Sequence, residues 1–180
     1  MEIEKFDIEG LVLLKPKIFE DERGYFYESF NKEVFEKLGI GVNFLQDNES
    51  KSSKGVLRGM HFQKPPYAQA KLVRVIKGSV LDVVVDIRKS SETYGKHVKV
   101  LLTENNKHLF FIPSGFAHGF LTLEDNTIFS YKCSALYNRE SEDSLFWNDS
   151  ELNINWDIEN PLLSEKDKQI KQFNEFISPF

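Results

Sequence analysis

The chain has 180 residues, a net charge of −5, and hydrophobic and charged shares of 41% and 28%, which suits one ordinary globular domain. The acidic balance argues against general nucleic-acid binding, which needs a basic surface to meet phosphates, but leaves room for a local basic pocket holding one pyrophosphate. Cys133 is the only cysteine, so no internal disulfide forms, and neither an apolar leader nor a membrane-length run is present; a cytoplasmic protein is expected.

In chain order, short apolar runs bounded by turn residues predict strands. They fall at Leu11 to Leu14, Tyr25 to Phe30, Val42 to Leu45, Gly55 to Phe62 and Lys71 to Ile76, then Val80 to Ile87, Val98 to Thr103, His108 to Ile112, Gly119 to Leu123 and Thr127 to Cys133. Many are rich in Val, Ile and Phe, which suit half-buried pleated surfaces. Asn31 through Leu38, followed by Gly39, reads as a short helix capped by Asn and stopped by Gly. Ser164-Glu165-Lys166-Asp167 opens a second helical candidate toward Phe176, with Ile170, Phe173, Phe176 and Ile177 at helical spacing. The fold class is mostly β, an antiparallel sandwich or barrel with small helical additions.

The four histidines, His61, His97, His108 and His118, form no HxH or HExxH pair, so the usual spacing of a zinc or iron site is missing. The P-loop and dinucleotide glycine patterns are missing too. Each remaining chemistry-bearing residue has an ordinary structural role open to it. His61 is an imidazole among apolar strand residues, but Arg58, three positions away, matches phosphate oxygens bidentately. Lys71 shares one strand face with Val73 and Val75, where a lysine either snorkels outward or serves a site. Tyr131 reads as a sheet tyrosine. His118 lies in a Gly-flanked turn, and Asp167 completes a capping box with Ser164.

Taken together and in order, these segments resemble the dTDP-4-dehydrorhamnose 3,5-epimerase family nearly end to end. The segments are Phe19 to Phe30 (FEDERGYFYESF), Gln46-Asp47-Asn48, Val56 to Gln63, Lys71-Leu72-Val73-Arg74, Val85-Asp86-Ile87-Arg88, Ile112 to Phe120, Phe146-Trp147-Asn148-Asp149 and Leu163 to Asp167. The resemblance implies a cupin-like jelly roll with its core at about residues 10–135 and a C-terminal segment completing the site. It also implies a single domain over residues 1–180 that works as a homodimer without metal or cofactor. His61 falls at the position of the general base, Asp167 at its carboxylate partner, Tyr131 at the general acid and Lys71 at the cation that meets the substrate carbonyl. Arg23, Phe26, Glu28, Gln46, Asp47, Asn48, Arg58, His118, Glu142 and Lys166 fall on or within segments that bind the nucleotide sugar, and Tyr137 at an aromatic that stacks on thymine. Part of the nucleotide pocket is expected from a neighbouring subunit, through the N-terminal segment. Ala70 and Asp143 stand where relatives often have Gly, and His97 where an aromatic is common; none falls on a catalytic position.

The expected reaction is inversion of carbons 3 and 5 of dTDP-4-keto-6-deoxyglucose, a step toward dTDP-rhamnose. The alternatives are a single-centre epimerase or ketoisomerase on a related nucleotide sugar, and a non-catalytic sugar-binding cupin.

Overall fold

The short apolar runs resolve into facing antiparallel sheets in the computed structural model, which describes residues 1–169 and 171–180. The first half holds β1 (Glu2–Lys5), β2 (Val12–Lys15), β3 (Phe19–Asp21), β4 (Gly24–Phe26), α1 (Lys32–Lys37), β5 (Gln46–Ser52), β6 (Leu57–Gln63) and β7 (Lys71–Lys77). The second half holds β8 (Ser79–Asp86), β9 (His97–Thr103), β10 (Leu109–Ile112), β11 (Phe116–Thr122), β12 (Thr127–Cys133), β13 (Glu142–Ser144) and one 3-10 turn, Phe173–Glu175. One sheet runs β1-β2-β10-β7-β12-β5, the other β13-β6-β11-β8-β9, and β3-β4 is a separate hairpin. This is the mostly β, jelly-roll-like architecture expected from the sequence.

Alternation along the strands sorts the side chains into three apolar layers. Between the sheets lie Leu13, Val73, Val75, Val84, Phe110, Phe116, Phe120 and Phe129. Outside the five-stranded sheet, Phe62, Val83, Val85 and Leu121 are covered by the C-terminal segment, through Leu145, Trp147, Trp156 and Phe176. Outside the six-stranded sheet, Leu14, Leu72, Leu109 and Phe111 are covered by Phe35 of α1 together with Ile40. Strand β11 is therefore buried at every position, because both of its faces are covered.

Helix α1 begins as read, with Asn31 accepting from the Val34 backbone N–H and Leu38 ending it before Gly39. Four readings change. His118 lies not in a turn but within β11, buried and paired with Val84 of β8, because the strand starts at Phe116. Val42 to Leu45 is not a strand: Val42 and Phe44 pack beside α1 on the outside of the sheet, and pairing starts at the polar stretch Gln46–Ser52. The Tyr25 to Phe30 strand shortens to β4, the second arm of the hairpin. The C-terminal helix is replaced by a turn at Glu165–Lys168 and the 3-10 turn, Ile170 lying outside the described residues. The cause is long-range hydrogen bonding. Phe146 N–H donates to the Lys171 carbonyl and Phe173 N–H to Asp149 Oδ2 at 2.7 Å, so the segment lies as a strap along residues 146–149. No helix among the described residues is long and apolar enough to cross a membrane.

Candidate active site

The site begins at a bulge in β6. His118 of β11 pairs with His61, and Phe120 with Arg58, so two steps on β11 span three on β6. Residues three apart in a regular strand face opposite ways; the bulge turns Arg58 and His61 to the same cavity. Glycine is required here. Gly59 has φ +145°, and a Cβ on it would lie 2.5 Å from the Gly119 Cα.

The cavity, of about 520 Å³, lies between the sheets and is closed on one side by the C-terminal strap. His61 Nε2–H donates to Asp167 Oδ1 at 2.6 Å across 106 residues of sequence. Asp167 is buried, and its other oxygen accepts from Ser164 Oγ at 2.6 Å. Burial pushes the Asp167 carboxyl up, but hydrogen bonds from His61, Ser164 and the Gly59 N–H outweigh it and hold the group below its ordinary value. This is a fixed carboxylate–imidazole pair on the five-stranded side.

Tyr131 comes from β12, on the six-stranded side. It pairs with Val73, and Cys133 with Lys71, so alternation puts Lys71 and Tyr131 on one inward face, two residues apart along the sheet. Burial pushes the Tyr131 phenol up, which keeps it a proton donor. Lys71 is half-buried, and no carboxylate lies within 4.0 Å of its ammonium among the described residues. Desolvation lowers its pKa, opposed by the negative charge of Asp82 and Glu142. His118 is buried beside them, with Nε2–H donating to Asp82 Oδ2 at 2.9 Å.

Arg58, Glu142 and Lys166 also line this cavity. Arg58 is exposed, and its Nε and Nη2 reach Ser52 Oγ at 3.4 and 3.3 Å, with no carboxylate within 4.0 Å among the described residues. Glu142 takes an ion pair from Lys166 and a 2.9 Å hydrogen bond from the Tyr137 hydroxyl. A smaller cleft continues outward past Gln46, Asn48 and Tyr137, and Gln46 Oε1 accepts from the Tyr137 N–H at 2.9 Å.

Four sequence-level candidates lie elsewhere within the chain. Asp47 points to the opposite face of β5 from Gln46 and Asn48 and pairs with Lys132 at 3.0 Å. Arg23, 84% exposed, pairs with Asp21 at the hairpin tip, Phe26 is 66% exposed on the same hairpin, and Glu28 bonds Asn31. Conversely, sequence reading passed over Asp82 and Ser50, and it read Ser164 with Asp167 only as a helix cap, without the bond from the Ser164 hydroxyl to the Asp167 carboxylate. An acid inside the Val-rich run Val80 to Ile87 was the available signal for Asp82.

The chain resembles known proteins along nearly its whole length. A family model described as dTDP-4-dehydrorhamnose 3,5-epimerase matches residues 5–175. The chain is 52% identical over 174 residues to the dTDP-4-dehydrorhamnose 3,5-epimerase of Shigella flexneri, covering 96% of each. It superposes with a TM-score of 0.91 on the crystal structure of the enzyme of that name from Elizabethkingia anophelis NUHP1, at 50% identity and 97% coverage of each chain. A dTDP-6-deoxy-D-glucose-3,5-epimerase from Legionella pneumophila, solved in complex with dTDP-4-keto-L-rhamnose, gives a TM-score of 0.92 at 48% identity, covering 96% of this chain and 93% of that one.

Proposed function

The chain belongs to the dTDP-4-dehydrorhamnose 3,5-epimerase family, and from that premise we propose that it inverts carbons 3 and 5 of dTDP-4-keto-6-deoxyglucose. The observation that carries this reading is the opposition of two proton-transfer groups across one cavity. His61, held by Asp167, stands on one sheet and Tyr131 on the other, with the Lys71 ammonium beside the tyrosine and no carboxylate within 4.0 Å of it among the described residues.

The ketone at carbon 4 acidifies the protons on carbons 3 and 5, because removing either gives an enolate. With the Nε2 proton of His61 held by Asp167, the lone pair on Nδ1 takes the carbon-bound proton, and Asp167 stabilises the imidazolium that results. Lys71 places fixed positive charge where the enolate oxygen develops, so no metal is needed. Tyr131 returns a proton from the opposite ring face, which inverts the centre.

The phosphates are held by Arg58 and Lys166, and thymine stacks on Tyr137 beside Gln46 and Asn48. Arg23, Phe26 and Glu28, remote from the cavity of their own chain, serve the site of a neighbouring subunit in a homodimer. The whole chain, 1–180, acts as one domain in the cytoplasm, without cofactor and without nucleic-acid or membrane partners.

Product NMR in deuterated water tests the reading. Deuterium at both carbons is expected, and exchange at one carbon only assigns a single-centre epimerase instead. His61→Ala and Tyr131→Phe are each expected to lose about 10²–10⁴-fold in kcat while thymidine diphosphate still binds. Full turnover by His61→Ala overturns the mechanism. Unchanged activity in excess chelator is expected, and loss of activity there removes the metal-free reading.

A further inference from the structure

Asp82 is a charged group where the fold has no use for one. It sits on the inward face of β8, between Val80 and Val84 at alternate positions, opposite Phe120 of β11, and it is fully buried. Its neighbours on that face belong to the apolar core between the sheets. An isolated carboxylate there costs several kcal/mol of desolvation, roughly, and apolar side chains of similar size are often as stable or better at such positions. The hydrogen-bond account is also incomplete. Oδ2 is used by His118 Nε2 at 2.9 Å, whereas Oδ1 is buried with no partner among the described residues. A buried carboxylate with one free oxygen is explained by what it does for the cavity.

We propose that Asp82 is a positioning residue for the epimerisation: its Oδ2 fixes His118 in the tautomer with the proton on Nε2, and its charge sits behind the cationic end of the cavity. This deepens the epimerase reading and rests on it. In that tautomer Nδ1 of His118 carries a lone pair and acts only as an acceptor, so His118 receives a hydrogen bond from a substrate hydroxyl or from Lys71.

Burial lowers the pKa of His118, more than Asp82 restores, which favours the neutral ring. The groups whose charge bears on Lys71 are Asp82 on β8, Cys133 on β12, Glu142 on β13 and Lys166 on the strap. Those bearing on His118 are Asp82, Lys71 and His61. Among these, Asp82 is the one carboxylate buried with the core and free of any cationic partner other than His118 among the described residues. Glu142, by contrast, is already engaged by Lys166 and Tyr137.

The charge and the hydrogen bond separate experimentally in Asp82→Asn and Asp82→Leu. In Asp82→Asn, kcat is expected to fall about 10- to 100-fold, the range for residues that orient an imidazole from behind, with thymidine diphosphate affinity within about threefold of wild type. The alkaline limb of kcat against pH is expected to move to lower pH, because removing a negative charge makes the Lys71 ammonium easier to deprotonate. Asp82→Leu is expected to match or exceed the Tm of wild type. Nitrogen-15 NMR of the imidazoles is expected to show His118 protonated on Nε2 in wild type and on a mixture of both nitrogens in Asp82→Leu. Unchanged kcat in Asp82→Asn overturns the proposal, as does an unmoved alkaline limb, or a loss of kcat that only tracks losses of Tm and of thymidine diphosphate affinity. The NMR readout needs no turnover, so a wild type inactive on the keto sugar sinks the epimerase reading while the His118 tautomer still decides the role of Asp82.

Discussion

At the scale of single residues, the site is a chain of short hydrogen bonds in which each member fixes the next. Ser164 Oγ donates to Asp167, and Asp167 accepts from His61, so the orientation of the His61 imidazole depends on a hydroxyl on the strap. Because the folded pKa of Asp167 lies below its ordinary value, the stabilisation it gives is complete above the unfolded pKa and is lost as pH falls through the folded one. Ser164→Ala removes one of the bonds that favour the carboxylate and so moves the folded pKa upward. Two results are expected: a loss of about 1 kcal/mol in stability at neutral pH, read by urea unfolding, and an acid limb of kcat that shifts to higher pH. An acid limb that stays in place would show that Ser164 does not tune the pair. Much of this chain was legible as residue types and little of it as contacts. His61 and Lys71 stood out as polar groups in apolar strands, whereas Tyr131 read as a sheet tyrosine and was marked only by the family resemblance. The His61–Asp167 pairing, 106 residues apart, followed only from the family resemblance, since strand periodicity says nothing about which distant loop returns to a cavity. Asp82 was missed because one acid in a Val-rich strand looks like ordinary alternation toward solvent, and only the second sheet shows that this face is inside.

At the scale of elements, the polar strand β5 and the bulge in β6 explain both what sequence patterning found and where it stopped. Strands β7, β8 and β12 carry β-branched and aromatic runs, and periodicity located each within a residue or two. Strand β5, Gln-Asp-Asn-Glu-Ser-Lys-Ser, has no apolar residue; it pairs because β12 offers an open edge, and its inward polar side chains face the cavity instead of the core. The β6 bulge has no pattern signature beyond a glycine, yet it decides that Arg58 and His61 share a cavity. Gly59→Ala is therefore expected to cost about 3 kcal/mol through backbone overlap with Gly119, seen as a lowered Tm, and to reduce kcat more than the same loss of stability imposed elsewhere. Asp86, at the end of β8, gives the control. Burial raises its pKa, but hydrogen bonds from Arg88, Thr93 and Ser91 outweigh this and bring it from 3.8 to about 2. Its roughly 2 kcal/mol of stabilisation is present above the unfolded pKa and lost as pH falls from about 4 to about 2. Asp86→Asn is expected to lower stability at neutral pH by that amount and to flatten the acid dependence of unfolding, with kcat at saturating substrate unchanged at temperatures where the fold holds.

At the scale of the whole molecule, two sheets face each other across the cavity, and the C-terminal strap packs on the five-stranded one and closes the cavity on that side. The five-stranded sheet carries the imidazole pair, the six-stranded sheet carries Tyr131 and Lys71, and the strap delivers Asp167 and Lys166. One part of the molecule lies outside this arrangement. The β3-β4 hairpin presents Phe19, Tyr25 and Phe26 at 53%, 56% and 66% exposure, with Arg23 at its tip, away from the cavity of its own chain. Exposed aromatics clustered with an arginine are the composition of an interface, and a hairpin that reaches a second copy would supply the open side of that copy's nucleotide cleft. A complementation experiment decides this. Arg23→Ala and His61→Ala proteins are each expected to be nearly inactive alone, the first through weakened substrate binding and the second through loss of the base. If Arg23 acts in the neighbouring subunit, every mixed dimer contains one site with both His61 and a partner's Arg23 intact. Refolding the two variants together in equal amounts is then expected to restore about a quarter of wild-type activity, since about half of the dimers are mixed and each has one complete site, the statistics of a symmetric two-fold pair. Activity no greater than the sum of the separate variants would place Arg23 in the site of its own chain, where the hairpin would have to fold back over β5.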